Sequence, residues 1–323
     1  MPSYSGVWTL PAQYQAQGLG NWPSPPALAL FGGGFNGANL SVIDSVLITS
    51  SGNATTFGNL TNTQQAPASV SSATRALWAG GANAISDIGY VTMASIGNAT
   101  SFGVLTAGRA RLAGASNNTR GLFMGGQNLV TGEATNTVDY VTIATTGNAT
   151  DFGDMAGANR FEYPGGLASP TRALVAGGRN SNTGAITSTI SYFTIATTGN
   201  FTSFGLLTSL GYAVSGCSSS TRGIYMGGST TNSAAQATNV IQYVTIATEG
   251  NATDFGDLTA VSTTNASTSN SIIGLCAIGQ TTSGYVNTIS QITIATTGNA
   301  TAFGQLSVTR GSLAACSNAH GGL

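Results

Sequence analysis

Residues 140–155 read Tyr-Val-Thr-Ile-Ala-Thr-Thr-Gly-Asn-Ala-Thr-Asp-Phe-Gly-Asp-Met, and the second half of this stretch recurs along the chain. The recurring pattern is Gly-Asn-x-Thr-x-Phe-Gly-x, followed by Leu or Met. Its six copies, 45 to 52 residues apart, begin at Gly52, Gly97, Gly147, Gly199, Gly250 and Gly298. Self-similarity at such a period is typical of solenoids and propellers, in which each repeat is one structural unit.

A short segment rich in Thr and β-branched residues precedes each copy, for example Val141-Thr142-Ile143 and Val244-Thr245-Ile246. The alternation and the β-branching predict a strand. We expect the Gly-Asn that follows to form a tight hairpin turn, in which the glycine supplies a positive φ. The Thr-x-Phe-Gly-x-Leu segment is then the return strand.

A second pattern lies between the copies of the first: a short apolar strand that ends in a glycine pair. Its copies are Leu28–Gly33, Ala76–Gly81, Gly121–Gly126, Ala173–Gly178 and Gly223–Gly228, with Ile273–Gly279 as a variant that keeps one glycine. One more strand precedes this pattern, as at Arg111–Ser116 and Val214–Ser218. Each period therefore contains four short strands and no helical periodicity, which predicts an all-β chain folded as a β-propeller of four-stranded blades.

The two ends of the repeat predict how the ring closes. The final copy stops after Leu313–Ser317, where the glycine-pair strand should begin, whereas the first copy starts with Leu28–Gly33 and lacks the preceding strand. Pairing of the C-terminal strand with the N-terminal blade would complete that blade and remove free sheet edges. We therefore predict a six-bladed propeller over residues 27–323, preceded by a leader over residues 1–26.

The apolar strand, the glycine pair and a following tyrosine resemble kelch repeats; the tyrosines are Tyr90, Tyr140, Tyr192 and Tyr243. The chain departs from the kelch pattern because it has Phe where Trp is usual, and a longer hairpin between Tyr and Phe. Two features are similar to kelch-like virion proteins of tailed bacteriophages. They are the residue sequence of the repeat and the leader, with Gly6-Val7-Trp8-Thr9-Leu10 and Gly20-Asn21-Trp22-Pro23.

This resemblance implies a non-enzymatic structural protein of the virion, such as a tail fibre, a tail appendage or a capsid-surface protein, that serves assembly or host attachment. It implies other virion proteins and host surface glycans as partners, and association with further copies of the chain. The candidate docking residues of the leader are Trp8, Tyr14 and Trp22, which would bind a partner or pack on their own propeller. The alternatives are a secreted carbohydrate-binding propeller and a degenerate propeller enzyme.

The charge content argues against several classes of protein. Only 6% of the residues are charged, all nine cations are Arg, the formal net charge is −1, and the one histidine is His320. A nucleic-acid binder needs a basic stripe, and a membrane-spanning helix needs about 20 consecutive apolar residues; the sequence has neither. General acid–base catalysis most often uses His, and His320 lies three residues from the end.

The N-terminal residues and the cysteines give no targeting or redox signal. Met1–Pro26 has neither a basic nor an apolar stretch, so we predict no signal peptide. The three cysteines, Cys217, Cys276 and Cys316, have no close spacing and are predicted to be small buried residues of strands.

Four arginines occupy one position of the repeat: Arg75, Arg120, Arg172 and Arg222. Propeller symmetry would place them in a partial ring on one face or near the channel. They could contact an anionic glycan or partner. Alternatively, they could pair with backbone carbonyls or an Asp of a neighbouring blade.

Two further patterns are weaker candidates. The pairs Asp151/Asp154 and Asp254/Asp257 could contribute to a Ca²⁺ site, but four blades carry other residues there, which favours solvation of strand ends. The Asn-x-Thr of each repeat has the form of a glycosylation sequon, yet it coincides with the predicted turn in every blade.

The residue sets of a copper oxidase or a sialidase are not matched. We therefore predict no catalytic residues, no metal and no cofactor.

Overall fold

Six four-stranded antiparallel sheets form the blades of a propeller in the computed structural model, which describes residues 25–82, 85–155, 161–180 and 183–323. These ranges contain no α-helix, and a short 3-10 turn lies at Ala234–Gln236. The prediction of an all-β, six-bladed propeller is therefore confirmed.

The strands of each blade are given from the central axis outwards. Blade 1 consists of β28 (Ala314–Ser317), β1 (Leu28–Gly32), β2 (Leu40–Leu47) and β3 (Thr55–Gln64), and blade 2 of β4 (Ala68–Ser71), β5 (Arg75–Ala79), β6 (Asp87–Thr92) and β7 (Thr100–Val104). Blade 3 consists of β8 (Ala113–Ser116), β9 (Arg120–Met124), β10 (Thr137–Thr142) and β11 (Thr150–Asp154), and blade 4 of β13 (Gly165–Ala168), β14 (Arg172–Ala176), β16 (Thr189–Thr194) and β17 (Thr202–Leu206). Blade 5 consists of β18 (Ser215–Ser218), β19 (Arg222–Met226), β20 (Thr238–Thr245) and β21 (Thr253–Ser262), and blade 6 of β22 (Ala266–Ser269), β23 (Ile273–Ala277), β26 (Thr288–Thr293) and β27 (Thr301–Gln305). Two small hairpin sheets add β12 (Phe161–Glu162) with β15 (Arg179–Asn180), and β24 (Gln280–Thr281) with β25 (Gly284–Tyr285).

The ring closes as the two ends of the repeat predict. Strand β28 pairs antiparallel with β1, from Ala29 opposite Ser317 to Gly32 opposite Ala314. The Asn318 side chain continues the pairing by accepting a hydrogen bond from the backbone N–H of Leu28, at 2.8 Å. Closure therefore satisfies the inner edge of β1, which would otherwise be a free sheet edge.

The apolar core lies between the blades. Six clusters of buried side chains each join one blade to the next; one contains Leu77 and Phe102 of blade 2 with Phe123, Val141 and Ile143 of blade 3. The repeated Phe is buried in every blade and belongs to these clusters, which are equivalent around the ring. Because no blade buries its faces alone, folding requires neighbouring blades to stack.

The prediction that Gly-Asn forms the hairpin turn is wrong. In blade 2 the chain reverses at residues 93–95, and the Gly97-Asn98-Ala99 segment runs extended beside the outer strand of blade 1. The N–H of Gly97 donates to the carbonyl of Phe57 at 3.0 Å, and the N–H of Ala99 donates to Asn59 at 2.8 Å. The dipeptide therefore joins blades, and it is the glycine pairs that have the left-handed φ values, such as +72° at Gly80.

Candidate functional site

The two faces of the ring differ, because all six innermost strands run in the same direction along the axis. We call the face at which they begin the top face and the face at which they end the bottom face. Between them lies a central channel of about 140 Å³, lined by small residues of the six inner strands. Small side chains are needed there because six strands converge on the axis.

One residue per blade, just before each inner strand, has a left-handed backbone with φ between 52° and 63°. These residues are Ala66, Arg111, Tyr163, Ala213, Thr264 and Ser312. Their backbones connect around the top of the channel: the N–H of Arg111 donates to Ala66 and the N–H of Tyr163 donates to Arg111, both at 2.8 Å. This conformation is uncommon for residues other than glycine, and here it lets Arg111 and Tyr163 project from one rigid ring at the channel mouth.

A charged cluster lies on the top face at these positions. The Glu162 carboxylate is completely buried and forms ion pairs with Arg111 and Arg179, whose side chains remain 28% and 22% exposed. Gln127, from the glycine-pair loop of blade 3, accepts a further hydrogen bond from Arg111 at 2.7 Å. A buried carboxylate is tolerated only when it is paired and hydrogen-bonded, so Glu162 fixes both guanidinium groups.

Tyrosines surround this cluster. The guanidinium of Arg111 lies 5.1 Å from the ring centre of Tyr163 and that of Arg179 lies 5.9 Å from Tyr212, within the range of cation–π contacts. Tyr163 and Tyr212 meet edge to face at 5.2 Å. On the same face, Tyr285 packs edge to face against Phe35 at 5.9 Å. We call Arg111, Glu162, Tyr163, Arg179, Tyr212 and Tyr285 the top-face cluster.

The pKa values of three members of the top-face cluster, Arg111, Tyr212 and Tyr285, are raised. Burial opposes the charge of Arg111, but Tyr163 and the hydrogen-bonded Glu162 outweigh it and raise its pKa. Burial, together with Tyr163 and Glu162, raises the pKa of the Tyr212 hydroxyl, and burial raises the pKa of Tyr285. At neutral pH Arg111 therefore carries a positive charge, and the hydroxyls of Tyr212 and Tyr285 are neutral.

The bottom of the channel is ordered by serine hydroxyls. At the last position of five inner strands, a serine donates to the carbonyl at the same position of the preceding blade, for example Ser71 to Ser317 at 2.8 Å and Ser116 to Ser71 at 2.9 Å. The other three donors are Ser218, Ser269 and Ser317. Blade 4 has Ala168 at this position, which leaves one gap in the ring.

The C-terminal residues pack at this lower end. The Nε2 atom of His320 lies 3.1 Å from the carbonyl oxygen of Ser71, which can only accept, and its Nδ1 accepts from the N–H of Gly322 at 3.1 Å. These two contacts define a neutral imidazole with the proton on Nε2. Burial lowers the pKa of His320 to about 4.

The four repeat arginines lie on the bottom face, between adjacent blades. The guanidinium of Arg120 is 4.8 Å from the ring centre of Tyr140 in its own blade and donates to the carbonyls of Ile195 and Ala196 in the next blade, at 3.0 and 2.9 Å. The other three make the equivalent contacts: Arg75 on Tyr90, Arg172 on Tyr192 and Arg222 on Tyr243. These arginines therefore join blades.

The sequon-like asparagines also join blades. The side-chain oxygen of Asn148 accepts from the N–H of Val104 in the preceding blade at 3.2 Å. Equivalent hydrogen bonds, at 3.0 Å, are accepted by Asn98, Asn200, Asn251 and Asn299. This contact accounts for the recurrence of Asn, since the side chain caps the edge of a neighbouring outer strand.

The remaining predicted residues are placed as follows. Asp151 and Asp154 lie exposed on β11, and Asp254 and Asp257 on β21; no group of three potential metal ligands occurs in the described part of the chain. The three cysteines are buried and unpaired, as predicted. Trp8, Tyr14 and Trp22 lie outside the described residues. Nowhere in the described ranges is there a helix long and apolar enough to cross a membrane.

Sequence reasoning missed the top-face cluster. Its members come from four repeats and occupy positions where the other copies carry unrelated residues, as Ala66 and Ala213 do at the position of Arg111. A signal was present, however: in a chain with 6% charged residues, Arg111, Glu162 and Arg179 are charges outside the repeat pattern.

The comparisons with known proteins give no family for this chain. No protein-family model matches it, and no curated protein matches it.

Proposed function

We propose that this chain is a non-enzymatic structural protein of a tailed-bacteriophage particle, as a tail fibre, tail appendage or capsid-surface protein. In this role the propeller contacts the host surface or neighbouring virion subunits through its top face. The attribution to a virion is supported by the resemblance of the leader, residues 1–26, and of the repeat wording to kelch-like virion proteins.

One observation carries the proposal of a binding role. The polar residues of the repeat, such as Arg120 and Asn148, hydrogen-bond from blade to blade. In contrast, three charged residues outside the repeat pattern, Arg111, Glu162 and Arg179, meet in the top-face cluster. The residues of the repeat make the ring rigid whether or not a partner is bound. The top-face cluster forms a preorganised surface, which is what specific binding requires.

The chemistry of the cluster favours binding over catalysis. Its one carboxylate, Glu162, is completely buried, and both of its oxygens pair with the arginines, so neither is directed at a bound ligand as a base would be. The imidazole of His320 lies at the opposite end of the channel. The cluster thus offers donors and aromatic surface without a matched acid and base.

The position on the particle is tested directly. Purified phage particles would be imaged by electron microscopy with antibody fragments against the propeller, and separately the isolated propeller would be added to cells before infection. We expect labels at the tail or capsid surface and a reduced rate of adsorption. A protein absent from particles but secreted by the cell would overturn the virion assignment and support the secreted carbohydrate-binding propeller. Turnover of any sugar by the isolated chain would overturn the non-enzymatic role.

A further inference from the structure

We propose that the top-face cluster is a binding site for a saccharide that carries a single carboxylate. This inference deepens the proposed attachment role and rests on it for its biological meaning, although the site itself is argued from contacts alone. Arg111 would hold the carboxylate, Arg179 would add its charge, and Tyr163 and Tyr285 would contact the sugar ring, with the buried Tyr212 packed against Tyr163.

Arg111 has the free edge that a carboxylate needs. Both of its hydrogen bonds, to Gln127 and to Glu162, are made by Nη1. Its Nε and Nη2 have no hydrogen-bond partner in the described part of the chain, and 28% of the side chain remains exposed. Two parallel N–H groups on one side of a guanidinium match a carboxylate in a bidentate geometry.

The net charge of the top-face cluster indicates which anion it would bind. Arg111 and Arg179 contribute two positive charges and the buried Glu162 removes one, so the cluster carries a net charge of +1. A phosphomonoester, with nearly two negative charges at neutral pH, would be left undercompensated in this otherwise sparsely charged chain. One carboxylate balances the cluster.

The surroundings favour a sugar over an acidic peptide. Tyr163 and Tyr285 are half-buried and present ring surface together with hydroxyls, while Tyr212 supports Tyr163 from the side. Such amphipathic side chains suit a ligand that alternates C–H faces with hydroxyl groups. An acidic peptide would bring several charges to a site with one net positive charge, and this would leave most of them unpaired.

The geometry is prepared before the ligand arrives. Arg111 and Tyr163 belong to the ring of left-handed residues, which are joined by backbone N–H to carbonyl hydrogen bonds of 2.7 to 3.1 Å. Glu162, completely buried, fixes the guanidinium of Arg111 from below. Little ordering should therefore oppose binding, and this helps weak saccharide contacts to give measurable affinity.

The test compares ligands that differ only in charge. Binding of methyl galacturonoside, which carries one carboxylate, and of its uncharged methyl ester to the full chain would be measured by titration calorimetry, with glucose 6-phosphate and a Glu-rich peptide as further ligands. We expect the acid to bind at least tenfold more tightly than the ester, since a charge-assisted bidentate contact is lost in the ester. Equal affinity for acid and ester, or tighter binding of the phosphate or the peptide, would overturn the proposal.

Substitutions then test which residues contact the saccharide. Arg111→Gln leaves the Glu162–Arg179 ion pair intact and should weaken methyl galacturonoside binding at least tenfold, while Tyr285→Ala should weaken it several-fold without removing a charge. Arg120→Gln, which removes an arginine from the bottom face, should leave the affinity unchanged. Unchanged binding by Arg111→Gln, or an equal loss in Arg120→Gln, would refute the site. If the ligand comparison fails although antibody fragments label the particle, the saccharide site is wrong and the virion role stands.

Discussion

At the scale of single residues, the arginine and the tyrosine of the repeat behave as one unit. Arg75, Arg120, Arg172 and Arg222 each pack on a tyrosine of the same blade. In blade 6 both members differ together, because Ile273 and Gln291 stand at the two positions. The Arg–Tyr pair is thus one way of filling the gap to the next blade. In blade 6, the pair of Ile273 and Gln291 takes its place.

This pairing predicts a measurable coupling energy. Arg222→Ile removes hydrogen bonds to Ile294 and Ala295 and the contact with Tyr243, and should lower the free energy of unfolding by about 1–3 kcal/mol. A double-mutant cycle with Tyr243→Gln, measured by urea denaturation, should give a coupling of about 0.5–1 kcal/mol. Additive effects would show that the two side chains act independently.

The glycine after each repeated phenylalanine has a different reason to be there. A Cβ at Gly103 would lie 2.1 Å from the carbonyl oxygen of Gly147 in the next blade. Gly103→Ala should therefore destabilise the protein by about 2–4 kcal/mol, because two blades must separate to accommodate the methyl group. Gly147→Ala is the matched control: no atom lies within 4 Å of its Cβ, so thermal unfolding should change little. Equal effects of the two substitutions would contradict this explanation.

At the scale of elements, the segment after β28 works as a cover for the lower end of the channel. Its histidine is held neutral by donating to Ser71 and accepting from Gly322. Protonation of Nδ1 would remove that acceptor and place a charge beside a buried N–H. The contact therefore depends on pH, although it contains no carboxylate side chain.

The direction of this dependence follows from the pKa of His320, lowered to about 4 by burial from 6.5 in the unfolded chain. Between these values the unfolded chain binds more protons than the folded one, so stability is full above pH 6.5 and falls as the pH drops towards 4. Thermal unfolding from pH 7.5 to 4 should show this loss, and His320→Leu should reduce the slope. An unchanged slope in His320→Leu would show that other groups cause the pH dependence.

At the scale of the whole molecule, closure decides whether the ring unfolds as one unit. Truncation after Leu313 removes β28 and frees the inner edge of β1. We expect the unfolding transition to move to a lower temperature and to become less cooperative. Truncation after Asn318 keeps the pairing of β28 with β1 and serves as the control, with a smaller loss. A ring without β28 that unfolds as sharply as the full chain would contradict this role.

The architecture was predictable because repetition supplies the same evidence six times. The strand count, the number of blades and the closing strand all follow from the spacing of Phe-Gly and glycine-pair segments. Local detail was less predictable: Gly-Asn was assigned to a turn, but Gly97 lies beside Phe57, which is 40 positions earlier. Short-range rules for dipeptides cannot anticipate a partner supplied by the neighbouring blade.

The top-face cluster could not be predicted for a related reason. Glu162 and Arg179 pair across the small sheet of β12 and β15, and Arg111 reaches Glu162 only because the ring brings blade 3 beside blade 4. No spacing motif links them, and the repeat itself draws attention to the positions that recur. In such a chain the departures from the repeat are the better guide to a binding surface.

The pairing of β1 with β28 has a consequence for synthesis. Leu28 and Asn318, joined by a hydrogen bond, are 290 positions apart. At roughly 5–20 residues per second on the ribosome, the first blade waits about 15–60 seconds for its partner strand. Throughout that time β1 presents an unpaired edge to other nascent chains, which is a route to misassembly. The four-residue strand β28 that finally covers it therefore sets the moment at which the propeller leaves this vulnerable state.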